Sequence, residues 1–419
     1  MDTVSSTGHS RQIAGFSWAQ YCGALLGSIV AFYPSLVPPG ISPRLLMIAA
    51  AVLLSAGTFR ASRPGVRELF VVSVTIYASL VVFVAGSLSS ATGDALVSTN
   101  LQRLLLVTPL FLVTGYRLQQ HRLLGFASRP YLTVATGTAV LACVESIVGR
   151  SLFGRDILFY YLSRDGTARA ILAGDQPLVL ASLMVIAIPM ASGLPRMARS
   201  AIYLVLLAGI AATGSRGPLV LGLLLAVALM SNRLLDSLRR HTRLLVAGAV
   251  LSVALIWYLS SAIWTTEILG STGGDYSSNY RWALYAVLPS VLLAAPLGYG
   301  MGQLPPGLWL AQSEAFGVRD LTITLDSELV YSAFTLGWIG VAAVITAFLL
   351  GVRAMSNAPT LGLTAAALSV LGFSLALHAW DGLGAIWVLV TGASAQVVLS
   401  SSDAPIVARA TEQTGSHRA

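Results

Sequence analysis

The chain has 419 residues, 56% of them hydrophobic and only 10% charged, with a mean hydropathy of +0.78. A soluble domain carries roughly 25% charged residues, so this composition excludes a water-soluble globule. All 25 basic residues are arginines scattered between apolar blocks, which argues against a nucleic-acid partner despite a net charge of +8. The two cysteines, Cys22 and Cys143, fall inside apolar blocks, which excludes a disulfide framework or a CxxC metal site.

The apolar blocks have lengths suited to crossing ~30 Å of hydrocarbon at ~1.5 Å per residue. The expectation is an all-α, polytopic membrane protein, one integral domain over 1–419 with about 12 transmembrane helices. Met1 to Ser10 is polar, and no cleavable signal peptide is visible. Spans are predicted near Phe16–Phe32, Leu45–Gly57, Leu69–Leu88, Leu101–Tyr116, Tyr131–Val148 and Pro177–Met190. The others lie near Ala201–Thr213, Pro218–Met230, Leu244–Leu259, Leu329–Leu350, Leu361–Ala379 and Gly384–Leu399.

Arginine bias sets the topology. With the N-terminus in the cytoplasm, most arginines fall in short, acid-poor cytoplasmic segments, for example Arg60, Arg63 and Arg67 or Arg117, Arg122 and Arg129. Those expected outside, such as Arg44, Arg103, Arg169, Arg216 and Arg281, are fewer. Both tails, 1–15 and 401–419, are therefore expected in the cytoplasm. Two outer loops stand out, Gly149–Gln176 and the larger Ser260–Leu325. Loops of that length in a compact protein are usually functional. The larger contains the apolar stretch Trp282–Ala295, which at about 21 Å is too short to span and carries Pro289. It is predicted to lie on or dip into the outer leaflet, headed by Arg281. The inverted repeat of many transporters is not evident.

Three polar signals sit at the outer ends of spans. Thr213-Gly214-Ser215-Arg216-Gly217-Pro218 is a tight reversal with proline in the next helix's first turn, holding Arg216 beside free backbone N–H groups. A guanidinium there suits a phosphate, or it snorkels to lipid headgroups. Asn279-Tyr280-Arg281-Trp282 is followed by Pro296-Leu297-Gly298-Tyr299-Gly300-Met301-Gly302, whose glycines allow backbone to pass close to a ligand. Asp326-Ser327-Glu328 runs into Gly337-Trp338-Ile339-Gly340. Carboxylates at a membrane mouth are costly unless paired or used. Two residues apart on a helix, Asp326 and Glu328 point away from each other, so at most one reaches a substrate. The alternative is a helix N-cap by Asp326 with Glu328 in the first turn. Arg169 with Asp175, Glu145 with an arginine, and His378 with Asp381 read as structural pairs. A DxD, HExxH, P-loop or GxGxxG in a plausible setting is missing.

In their order and spacing, Ser215-Arg216-Gly217, Arg281-Trp282, Gly298-Tyr299-Gly300, Asp326-Ser327-Glu328 and Gly337-Trp338-Ile339-Gly340 resemble the O-antigen ligase and Wzy-type polysaccharide polymerase superfamily. The resemblance covers about the C-terminal half. It implies a GT-C-like glycosyltransferase of the bacterial inner membrane with a periplasmic active site. Its substrate would be an undecaprenyl-diphosphate-linked oligosaccharide, with no metal or other cofactor and with a chain-length regulator as a candidate partner. Ligases of this group typically carry His-Asn where this chain has Asp326-Ser327, which favours a polymerase. On that reading Asp326 or Glu328 is the general base. Arg216, Arg281 and Arg169 hold the diphosphate, and Ser215, Tyr280, Tyr299, Gly300 and His378 line the substrate. The rival readings are an O-antigen ligase, a peptidoglycan polymerase of the shape, elongation and division class, and a polysaccharide or lipid transporter.

Overall fold

This computed structural model describes residues 17–38, 41–61, 103–154, 168–174, 176–231, 276–300, 309–313, 317–322, 325–373, 375–377 and 381–401, with positions 77, 237, 240–241 and 307. The chain is mostly helical. In order come α1 (Trp18–Phe32), α2 (Pro43–Ala61), a π turn (Arg103–Val107) leading into α3 (Thr108–Gln120), and α4 (Leu124–Val148). They are followed by α5 (Pro177–Met190), α6 (Arg196–Ala212), α7 (Arg216–Met230) and α8 (Tyr276–Ala294). A hairpin, β1 (Leu310–Ser313) and β2 (Gly317–Asp320), precedes α9 (Glu328–Ala354), α10 (Pro359–Gly372) and α11 (Asp381–Ser401). The two strands pair antiparallel from Leu310 opposite Asp320 to Ser313 opposite Gly317.

Among the described residues three helices, α4, α9 and α11, are long and apolar enough to cross a membrane, and several shorter apolar helices accompany them. Ten of the twelve sequence-predicted spans overlap described helices and differ from them at their ends, those over Leu101–Tyr116 and Ala201–Thr213 falling on α3 and α6. α1 is entered through a capping box, with Ser17 N–H donating to Gln20 Oε1 at 3.0 Å and Gln20 N–H to Ser17 Oγ at 3.4 Å. α4 begins at Leu124 rather than Tyr131 and carries Pro130 within it. The span expected over Leu361–Ala379 stops as a helix at Gly372. Leu69–Leu88 (Tyr77 apart) and Leu244–Leu259 lie outside the described residues.

The core forms around α5. Its sequence is apolar on every face, and such a helix has to be enclosed. Val179 to Pro189 are buried without a break, packed by α4, α6, α7 and α10. α11 lies against α3, where a Cβ on Gly115 would strike the Leu389 carbonyl and one on Gly392 the Leu112 carbonyl. Small residues bring helix backbones into direct contact where lipid supplies no hydrophobic drive for association. At the end of the bundle where α2 finishes, the buried Arg117 donates through Nη1 to the Thr58 carbonyl at 3.0 Å, satisfying a helix C-terminus.

Candidate functional site

The site grows from the start of α9. Its N-cap is Ser327, in extended backbone, with the hydroxyl accepting from Val330 N–H. This sets aside the alternative in which Asp326 caps the helix. Ser327 is wholly buried and is gripped from two other elements: Tyr285 of α8 hydrogen-bonds it at 2.9 Å, and its own hydroxyl reaches the Gly372 carbonyl at 3.4 Å. Tyr285 O–H also donates to the Phe373 carbonyl. Tyr285 and Ser327 thus share the carbonyls of Gly372 and Phe373, which α10, ending at Gly372, leaves without intrahelical partners. The next segment then crosses the head of α9, where Glu328 N–H donates to the Leu375 carbonyl at 3.2 Å.

The two carboxylates are therefore separated by environment. Glu328 is 2% exposed and accepts from Ser332 Oγ at 3.2 Å within its own helix. Asp326, just outside the helix and relieved of capping, is half-buried. Burial pushes its carboxyl above the ordinary range, and the Arg281 guanidinium pulls in the opposite direction without cancelling the shift. Arg281 does not head its helix as expected. α8 begins at Tyr276 and runs past Pro289 to Ala294, so Arg281 lies inside it. The Nε of Arg281 is buried and has no hydrogen-bond partner.

Two glycine motifs that the sequence presents as separate signals interlock. α9 is broken at Gly337, where φ is 59° and ψ is −139°, a conformation open essentially to glycine alone. The break frees carbonyls in the preceding turn, and the chain after α8 uses them: Tyr299 N–H donates to Phe334 O at 2.7 Å and Gly300 N–H to Thr335 O at 3.1 Å. In return Trp338 N–H donates to Pro296 O at 2.9 Å. A Cβ on Gly337 would collide with the Pro296 carbonyl, and one on Gly298 with the Thr335 peptide. Gly300, expected beside a substrate, is thus buried with its amide engaged in this crossing. Tyr280 is buried in the apolar cluster of Leu284, Val330 and Phe334. Tyr299 is half-buried, with its ring near Phe334 and its hydroxyl accepting from Trp309 Nε1 at 3.3 Å. Trp309 ties the hairpin to the same cluster, edge-on to Phe334 and accepting from Leu321 N–H at 2.9 Å.

The Ser215-Arg216-Gly217 turn forms where expected, between α6 and α7, with Arg216 exposed as the first residue of α7. Arg169 folds over this turn, its Nε donating to Thr213 O at 2.8 Å and its Nη2 to Ser215 Oγ at 3.4 Å. Arg169 thus meets the turn, while Asp175, its expected partner, lies outside the described residues. Among the described residues no ion pair joins Glu145 to an arginine. Fully buried, its carboxylate accepts from the N–H groups of Leu152 at 2.9 Å and of Ile171 and Leu172 at 2.7 Å each, pinning both ends of the smaller loop.

Sequence reasoning missed a third cluster. Asp381, at the head of α11, accepts from Arg44 Nε at 3.2 Å and Arg103 Nε at 2.9 Å. Its expected partner His378 lies outside the described residues. The only signal was that Arg44 and Arg103 were assigned to the outer side. Asp381 and Arg103 line a cavity of about 240 Å³ together with Gly174. Neighbouring Ala173 accepts from Ser35, and Ile171 and Arg169 lead on to Glu145 and the Ser215 turn. The Ser215 turn, Glu145 and the Asp381 cluster are thus linked through the 169–174 segment. Among the described residues no hydrogen bond or ion pair joins Arg216 to Arg281 or Asp326.

Neither the known protein-family models nor the curated proteins yield a match to this chain.

Proposed function

We propose that this chain is a polymerase of bacterial surface polysaccharide, a metal-independent inverting glycosyltransferase of the inner membrane with its active site on the periplasmic side. The observation that carries this reading is Arg281, with its buried Nε lacking a hydrogen-bond partner, within electrostatic reach of a half-buried Asp326 that no helix cap consumes. A cation with a free buried donor acting on a carboxyl of raised proton affinity combines an anion clamp with a proton acceptor.

The growing glycan is bound through its undecaprenyl diphosphate, with Arg281 and Arg216 on the diphosphate and Arg169 positioning the turn that carries Arg216. A hydroxyl of the incoming lipid-linked repeat unit attacks the anomeric carbon from the face opposite the diphosphate. The new glycosidic C–O bond forms as the bond to the diphosphate oxygen breaks. The hydroxyl proton passes to Asp326, and undecaprenyl diphosphate leaves with its charge held by the guanidinium groups. Of the two candidate bases Asp326 is favoured, because Glu328 is enclosed and bonded within α9.

The test is extension of lipid-linked repeat units in proteoliposomes by Arg216→Ala and Arg281→Ala variants, with membrane insertion checked separately. Loss of long chains in both supports the reading, and retained extension overturns the leaving-group role. A deletion strain that displays single repeat units identifies a polymerase. Long chains stranded on undecaprenyl diphosphate identify a ligase instead.

A further inference from the structure

A second cavity, of about 530 Å³, lies at the other end of the bundle. α9 runs 27 residues from the Asp326 side to Ala354, about 40 Å at the α-helical rise. The mouth of the cavity sits beyond that far end, next to the start of α10, between α3, α4 and the turn after α5. Its interior is hydrocarbon: Ala50 and Leu54 of α2, Phe111 of α3 and Leu389 of α11 face it. Its rim is polar, formed by Gln119, Ser128, Ser192 and Thr360, the last two hydrogen-bonded to each other at 3.0 Å. Among the described lining residues the charged one is Arg129, exposed at the rim with its guanidinium over the Phe126 ring, 5.0 Å from the centroid. Arg199 stands behind the rim, donating to the Ser192 carbonyl at 3.3 Å while its buried Nε has no partner. The loops at this mouth, 119–130, 190–200 and 353–360, contain arginines and not one carboxylate.

We propose that this cavity holds one anionic glycerophospholipid, with a hydrocarbon chain inside and the phosphodiester at Arg129 and Arg199. Interiors pack densely, and a dry apolar void forfeits dispersion contacts. In a bilayer the filler at hand is a lipid tail, and a cavity of this size is within the range of ligand sites. The acid-free basic rim then selects the headgroup, as basic clusters at the membrane surface select anionic lipids. The site is independent of the glycosyl-transfer chemistry, and it gives the bundle a resident lipid at the face away from the proposed active site.

The test uses full-length protein reconstituted in vesicles of equal phosphatidylglycerol and phosphatidylcholine, extracted in mild detergent and examined by native mass spectrometry. One retained phosphatidylglycerol per chain is expected, favoured over phosphatidylcholine by fivefold or more. Arg129→Gln, at an exposed position, should bring that preference close to unity while the chain elutes as a folded protein. Ala127→Trp, on the cavity wall, should reduce retention of both lipids. Equal retention of the two lipids by the parent chain overturns the proposal. So does preference for phosphatidylglycerol that survives Arg129→Gln, or displacement of the bound species by millimolar inorganic phosphate alone.

Discussion

Asp326 and Arg281 stand in opposition: burial raises the proton affinity of the carboxyl, the guanidinium lowers it, and burial prevails. Arg281 belongs to α8 and Asp326 to the approach to α9. A base of this kind is active only when deprotonated. Chain extension should therefore rise with pH through an inflection above the usual carboxylate range. Arg281→Gln removes the lowering influence, so any residual activity should have its inflection moved further up. Asp326→Asn should eliminate the inflection with most of the activity, whereas Glu328→Gln should leave it in place. Rate–pH profiles on lipid-linked repeat units check all three, and an inflection that follows Glu328 would sink the assignment.

Gly337→Ala should unfold the crossing between the segment after α8 and α9. The backbone there lies in a region that disfavours a side chain by about 1–3 kcal/mol, and the added methyl meets the Pro296 carbonyl. A total loss of roughly 2–4 kcal/mol is expected, measured as a lowered thermal midpoint in detergent. Gly217→Ala, at a position with open space around its Cα, should cost far less and serves as the control.

Glu145→Gln tests the three-amide clamp on the smaller loop. The amide oxygen can still accept from Ile171 and Leu172, but its NH₂ group then opposes the Leu152 N–H that Oε2 accepts now. Hydrogen bonds to a charged group are worth about 1.5–3 kcal/mol each, so a destabilisation of about 2–3 kcal/mol is expected. Faster amide hydrogen exchange at Leu152, with smaller changes at Ile171 and Leu172, is the specific signature.

Asp381 is shared by two guanidinium groups, so removing it differs from removing either arginine. Asp381→Asn leaves Arg44 and Arg103 facing each other, and should cost more than Arg44→Gln or Arg103→Gln. Losses of order 1–3 kcal/mol are expected for the aspartate. Unfolding midpoints of the Arg103→Gln/Asp381→Asn double variant should be non-additive. Additive losses would mean that the cluster carries no coupling.

Much of this was legible in the sequence because it is local. Hydropathy and block length alone determine the helical, membrane-suited character. The Ser215-Arg216-Gly217 turn follows from neighbouring residues, whose backbone groups bond within a few positions. Tertiary structure decided what depends on partners far along the chain. Asp381 and Arg44 are 337 positions apart, and Tyr285 and Phe373 are 88 apart. The identity of the α9 cap turned on which side chain those distant elements gripped: they held Ser327, and that left Asp326 uncapped. The glycine motifs gave no sign in sequence that each supplies the hydrogen bonds the other lacks. Helix formation is governed by contacts three or four residues apart, whereas the disposition of a buried carboxylate or a broken helix is governed by which polar groups the packed bundle leaves within reach.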